Sequence, residues 1–221
     1  VFTRLEALEY YTRSTGEMPP LIVHENPYPW KARSLELIGY PLENCLPWQG
    51  NILKVKRLVI CSKRREIGRT SPKSCHWVKE KVFGNLDKET QANIPLAPNI
   101  FISRRNSRSR RIVNEDEVIK TLAKLDFVPY LLEDFDWQDQ VKLFQQAKKI
   151  VAPHGAGLVN MVFSPQNTQI LELFGRKISH AFYALAKGLN LEYGCIFCEP
   201  REEKILVDCR QLSQFLEQYY C

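Results

Sequence analysis

From residue 100 onward the apolar positions fall into short runs separated by amphipathic stretches of helical length. IFIS (100–103), FVPYLL (127–132), KIVAP (149–153), TQILELF (168–174) and LEYGCIF (191–197) read as strands. Between them, Val118, Leu122 and Leu125 fall at i, i+4 and i+7, which predicts a helix. Asn114 stands at its N-cap, with Glu117 three residues on as a capping-box partner. Trp137, Val141 and Phe144 mark a second helix, expected to end in Lys148-Lys149 at the negative end of its dipole. HGAGLVNMVF (154–163) reads as a turn into a short helix, HAFYALAKGL (180–189) as a helix, and VDCRQLSQFLEQYY (207–220) as a terminal amphipathic helix. Strands alternating with helices mean β-α-β units and a parallel sheet, so this half is expected to be α/β and Rossmann-like.

The first half is less regular. Phe2–Arg13 reads as an amphipathic helix, residues 16–20 as a turn, LIVH (21–24) as a short strand, and Trp30–Leu37 as a helix stopped by Gly39 and Pro41. Ile52–Cys61 alternates with period two and predicts a strand with Lys54 and Lys56 on its wet face. Residues 62–74 have loop composition, and Cys75–Phe83 reads as a helix. The expected division is 1–75, 76–208 and a C-terminal helix 209–221.

Composition narrows the class. With 44% hydrophobic and 25% charged residues over 221 positions, the chain can bury a sizeable core. No apolar run approaches the length of a membrane span, and no apolar targeting segment opens the chain. It begins with Val1, so a fragment or processed product is expected. The net charge of +6 is segregated: residues 54–111 carry 16 basic and 4 acidic side chains, while the flanking stretches are each net acidic. A basic block of this kind implies an anionic partner or a solvated cationic face. The seven cysteines are odd in number and irregularly spaced, which excludes a compact disulfide scaffold. Cys195-x-x-Cys198 has no second pair, so buried reduced thiols are expected rather than a metal site.

Three features carry candidate chemistry. In open parallel sheets ligands bind where strands end and helices begin. After KIVAP comes His154-Gly155-Ala156-Gly157, whose glycines allow close backbone approach and whose free N–H groups favour an anion. It lacks the third glycine of a dinucleotide fingerprint and the Lys of a P-loop. After IFIS comes a loop with five arginines and no acid in residues 104–111, and guanidinium forks suit a diphosphate. Glu172 sits among Ile170, Leu171, Leu173 and Phe174, and a carboxylate there needs a partner, of which a ribose diol is one.

VAPHGAGLVNMVFSPQNTQILELF, preceded by FISRRNSRSRRIVNEDEV and DWQDQVKLFQQAKKI, resembles glycosyltransferase family 61. RLEALEYY and KARSLELIGY resemble the family's N-terminal half. The resemblance implies a fold of two Rossmann-like halves (GT-B), the N-terminal, acceptor-side half truncated here. It implies inverting, metal-independent transfer of a sugar from a UDP-sugar to a glycan or protein hydroxyl, with no cofactor. It places Arg104, Arg110, His154, Gly155, Ala156 and Gly157 at the donor diphosphate and Glu172 at the nucleoside. It leaves the catalytic base unknown, since the family's H-W-x-x-(D/E) type segment lies upstream of Arg4; His24 and Glu25 are the candidates at a strand end. Two alternatives remain open: a non-catalytic nucleotide-sugar or glycan binder, and a nucleic-acid-binding module using residues 54–111. The cysteines point to the cytoplasm, whereas eukaryotic relatives work in the secretory lumen.

Overall fold

The computed structural model describes residues 2–62, 65–66, 69–86 and 92–219. The chain divides into two compact units, Val1–Gln91 and Ala92–Cys221. The sequence places a boundary after residue 75, whereas the division falls after 91, so the helix read there belongs wholly to the first unit.

In the first unit, α1 (Leu5–Thr15) buries Leu5 and Leu8 and ends at Gly16 in the left-handed region. β1 (Leu21–His24), α2 (Pro29–Ile38) and β2 (Cys45–Trp48) form a β-α-β unit whose two strands pair in parallel. Pro29 opens α2 and Gly39, with φ 94°, closes it. The strand expected at Ile52–Cys61 does not form. Ile52, Leu58 and Ile60 are 90, 56 and 78% exposed: alternation builds a strand only where a partner satisfies the ladder, and none pairs here. Within the stretch read as a loop, β3 (Arg65–Glu66) and β4 (Arg69–Thr70) form a short antiparallel pair; residues 63–64 and 67–68 of that reading lie outside the described residues. α3 (Pro72–Asn85) is capped by Ser71, whose side chain accepts from the Ser74 N–H. It is tied to α1 by Ser74 Oγ donating to Glu6 (2.7 Å), by Trp77 Nε1 donating to Glu9 (2.9 Å) and by the Lys81–Glu9 ion pair.

The second unit is built on a five-stranded, wholly parallel sheet. Its strands are β5 (Asn99–Ile102), β6 (Val128–Tyr130), β7 (Lys149–Pro153), β8 (Gln169–Phe174) and β9 (Glu192–Phe197), in the spatial order β6-β5-β7-β8-β9. All five apolar runs form strands, as the sequence predicts; β7 and β8 inside the sheet are buried almost throughout, whereas the edge strands β6 and β9 are partly exposed, at Val128 and Phe197 among others. One face, with Phe101, Val151, Leu171 and Ile196, packs against Val118 and Leu122 of α4 (Glu115–Ala123) and Leu212 and Leu216 of α7 (Cys209–Tyr219). α5 (Trp137–Gln146) precedes β7 and α6 (Ala181–Gly188) precedes β9. α5 stops before the two lysines expected to end it: Ala147 turns extended, and the Lys148 and Lys149 N–H groups both donate to Pro98 O.

Two details depart from expectation in ways that bear on the site. A hairpin of β10 (Glu199–Arg201) and β11 (Lys204–Leu206), in a charged stretch without strand patterning, packs beside the arginine loop. Asn114 flanks α4, but its side chain makes no cap hydrogen bond to the helix. Instead its Oδ1 accepts from Val207 N (3.1 Å) and its Nδ2 donates to Val207 O (2.9 Å) and to Glu117 (2.9 Å). A side-chain amide matches a backbone amide in both directions, so pairing with the hairpin displaces the capping box.

Candidate functional site

The strand order creates a switch point. β5 and β7 are neighbours, but the chain leaves β5 for β6 on one side and β7 for β8 on the other. The loops after them diverge and open a crevice at the strands' carboxyl ends. The arginine loop follows β5 and the His154–Gly157 bend follows β7, so the two motifs separated in sequence meet at this crevice.

Their contact is direct. A Cβ built on Gly155 would lie 2.1 Å from Arg104 Nη1 and 2.8 Å from its Cζ, so the guanidinium rests against the Gly155 backbone. Gly155 is extended (φ −179°), and its role is this close approach rather than an unusual dihedral. Ala156 opens a 3-10 helix running to Phe163. Gly157 is needed for packing: a Cβ there would lie 2.8 Å from Leu132 Cδ1. The backbone N–H groups of Gly155, Ala156 and Gly157 make no hydrogen bond among the described residues. A cavity of about 80 Å³ separates the two loops, lined by Ser103, Arg104, Ser107, Glu133, Gly155 and Gly157 among others.

Arg110 is held from the other side. Its N–H donates to Glu203 O, and Arg111 O accepts from Ile205 N (2.9 Å), so the hairpin fixes the end of the arginine loop. Arg110 takes a left-handed conformation (φ 60°), uncommon for a side-chain-bearing residue. Burial, and then the charge of Arg110, pushes the Arg104 guanidinium below its ordinary value, with Glu133 opposing. Among the described residues neither Arg104 nor Arg110 forms an ion pair, and the buried Nε of each lacks a hydrogen-bond partner. The two cations repel one another, and Glu133, which lines the same cavity, forms no ion pair with either among the described residues, so an anion between them would relieve the repulsion.

The other arginines differ. Arg105 pairs with both Glu115 and Asp116, so its charge is already compensated. A larger cavity of about 360 Å³ beside α4 is lined by Arg105, Arg111 and Lys204 and by Glu115, Asp116 and Glu117, so carboxylates offset its cations, although the buried Nε of Arg111, like those of Arg104 and Arg110, has no hydrogen-bond partner.

Glu172 is placed differently from the nucleoside role that the resemblance implies. It is fully buried in β8, and its two oxygens are taken by His154 Nδ1 and the Tyr193 hydroxyl. His154 stacks on Phe174, with ring centroids 5.3 Å apart, and tilts against Phe182 at 5.4 Å. Sequence reasoning missed Tyr193 and Glu133. Tyr193 is legible only once β8 and β9 are aligned, because it lies two positions before Cys195, the register partner of Glu172. His24 and Glu25 are both engaged in the turn after β1: His24 Nδ1 accepts from Asn26 N, and Glu25 accepts from the Asn26 side chain. Cys198 is buried and its thiol is pushed up to about 12 by burial, as suits an inert core thiol. Among the described residues no three His, Cys, Asp or Glu side chains converge as a metal site.

Comparison with known proteins points to one family. The model of the family described as Glycosyltransferase 61 matches residues 10–171. The chain is 30% identical over 127 residues to protein O-linked-mannose beta-1,4-N-acetylglucosaminyltransferase 2 of Bos taurus, covering 53% of this chain and 21% of that protein. It is 32% identical over 121 residues to the protein of the same name from Xenopus laevis (51% and 21%). It is 26% identical over 125 residues to beta-1,2-xylosyltransferase of Arabidopsis thaliana (50% and 23%). The matched segment spans about a fifth of the length of these relatives.

Proposed function

The chain belongs to glycosyltransferase family 61, and from that premise we propose that its second unit is the donor-binding half of an inverting glycosyltransferase that uses a UDP-sugar. The observation that carries this reading is the Arg104 guanidinium lying on Gly155 beside a second uncompensated arginine, at the switch point of a parallel sheet. A diphosphate fills the electrostatic requirement: two forks for its oxygens on one side and three free backbone N–H groups on the other.

In the proposed reaction an acceptor hydroxyl oxygen bonds to the anomeric carbon from the face opposite the diphosphate. The bond from that carbon to the β-phosphate oxygen breaks, and UDP leaves with the electron pair. Negative charge grows on the departing phosphate, and Arg104, Arg110 and the N–H groups of the Gly155–Gly157 bend are the groups proposed to stabilise it. The arginines supply this charge themselves, so the reading needs no divalent cation. The acceptor proton passes to a base. We place that base outside the second unit, in a two-half GT-B arrangement whose acceptor-side half includes the first unit. A glycan or protein hydroxyl is the proposed acceptor.

A thermal-shift series against nucleotides and nucleotide sugars tests the proposal. UDP and UDP-sugars should raise the melting temperature with saturating concentration dependence, and adenine nucleotides should do so less. Equal response to all nucleotides, or none, contradicts it.

A further inference from the structure

His154, Glu172 and Tyr193 come from three neighbouring strands, just past the end of β7, within β8 and near the start of β9, and the diphosphate cradle described above uses only the backbone beside the first of them. Glu172 has no exposed surface. A carboxylate in that position is costly unless both oxygens are satisfied. Here they are satisfied by the His154 ring on one side and the Tyr193 hydroxyl on the other. An ionised carboxylate only accepts hydrogen bonds, so the histidine nitrogen facing it carries a proton. The ring is further immobilised between Phe174 and Phe182, its side chain is 11% exposed, and Nε2 forms no hydrogen bond among the described residues. Its backbone is pinned as well, since His154 N donates to Leu173 O (2.9 Å). The next residue is Gly155, on which Arg104 lies.

We propose that Glu172 and Tyr193 are positioning residues that lock His154 in its Nδ1–H form, so that Nε2 is the atom offered to the donor diphosphate. This rests on the reading of the Gly155 bend as the diphosphate site. On binding, Nε2 takes up a proton from solvent and shares it in a hydrogen bond to a phosphate oxygen, while the buried carboxylate balances the imidazolium. Tyr193 holds the second oxygen of Glu172 so that the first stays aimed at the ring. Glu172 is therefore a second layer behind the phosphate and not itself a ligand of the ribose.

Long-range 1H–15N NMR of the 15N-histidine-labelled chain reads the tautomer directly, with the His154 signal assigned by its loss in His154→Gln. The ligand-free protein should show Nδ1 protonated and Nε2 bare, and added UDP should protonate Nε2. Glu172→Gln should leave the chain folded, abolish the second protonation and weaken UDP binding about tenfold, equivalent to about 1.4 kcal/mol. Tyr193→Phe keeps the ring and the core and should produce a mixture of tautomers, which serves if Glu172→Gln does not fold. A ligand-free histidine protonated at Nε2 alone overturns the inference, as does unchanged UDP affinity in a folded Glu172→Gln. If UDP fails to bind the unaltered chain, the diphosphate reading fails. The tautomer of the ligand-free protein then still decides the positioning role.

Discussion

The guanidinium of Arg104 occupies the space that any side chain at residue 155 would need, with Nη1 2.1 Å from the position of a Cβ on Gly155. The obstruction is the far end of a flexible side chain, and the Gly155 backbone is ordinary extended chain. Gly155→Ala should therefore fold with stability within about 1 kcal/mol of the parent. It should displace Arg104 by about 1 Å or more and weaken UDP binding about tenfold or more. Paired chemical-denaturation and calorimetric titrations separate the two effects. A large stability loss would show that Gly155 serves packing instead.

The arginine loop makes a sharper distinction between neighbours of identical charge. Arg110 is uncompensated and left-handed, whereas Arg105 is paired with Glu115 and Asp116. Arg110→Gly relieves the backbone conformation while removing the fork, so it should retain stability and lose UDP binding below detection. Arg105→Ala should bind UDP within about twofold of the parent, since an exposed, already paired charge contributes little. Equal losses from both variants would mean that the loop acts as a diffuse basic patch.

Asn114 joins α4 to the hairpin that holds Arg110. Asn114→Ala removes two hydrogen bonds to the Val207 backbone and should lower the stability of the second unit by about 1–3 kcal/mol. Hydrogen exchange at the Val207 amide should accelerate correspondingly. Asn114→Asp keeps the acceptor for Val207 N and loses the donor, and it should fall between the two.

The contact between α1 and α3 carries a pH dependence. Burial tends to raise the Glu9 carboxyl, but hydrogen bonds from Lys81 and Trp77 outweigh it and hold the group below its ordinary value. A carboxyl lowered on folding stabilises above its unfolded value, about 4.3, and that contribution disappears as pH falls through the folded value. The stability gap between the parent and Glu9→Gln should thus be constant from neutral pH to about 5 and close below about 4. Denaturation midpoints across that range check it; a gap that widens in acid would reverse the sign.

The second unit was legible because its strands are short apolar runs, nearly fully buried in β7 and β8, and its helices bury one face. KIVAP and QILELF could satisfy their backbones only inside a sheet, so composition alone located them. Two elements were hidden, and one expected strand failed to form, for physical reasons. β2 contains Pro47, which reads as a strand breaker but is tolerated in a two-stranded pair. The β10–β11 hairpin is almost wholly charged on its exposed side, with Ile205 supplying its buried contact. The alternation over Ile52–Cys61 had the right period and no partner to pair with. The candidate site shows the same limit. Charge and glycine content singled out the loop at 104–111 and the bend at 154–157, and the resemblance singled out Arg104 and Arg110 within that loop, but the partner of Glu172 could not be read locally. The carboxylate is satisfied by residues 18 positions before and 21 after it, brought together by sheet register.

Calorimetric titration of UDP into the chain, with chelator present and at two salt concentrations, tests the central claim most directly. Two uncompensated arginines and three backbone donors should give saturable, one-to-one binding that survives the chelator, weakens only modestly with salt and vanishes in Arg110→Gly. Binding that disappears in chelator and returns with a divalent cation would contradict it. So would a non-saturating interaction that falls steeply with salt and persists in Arg110→Gly.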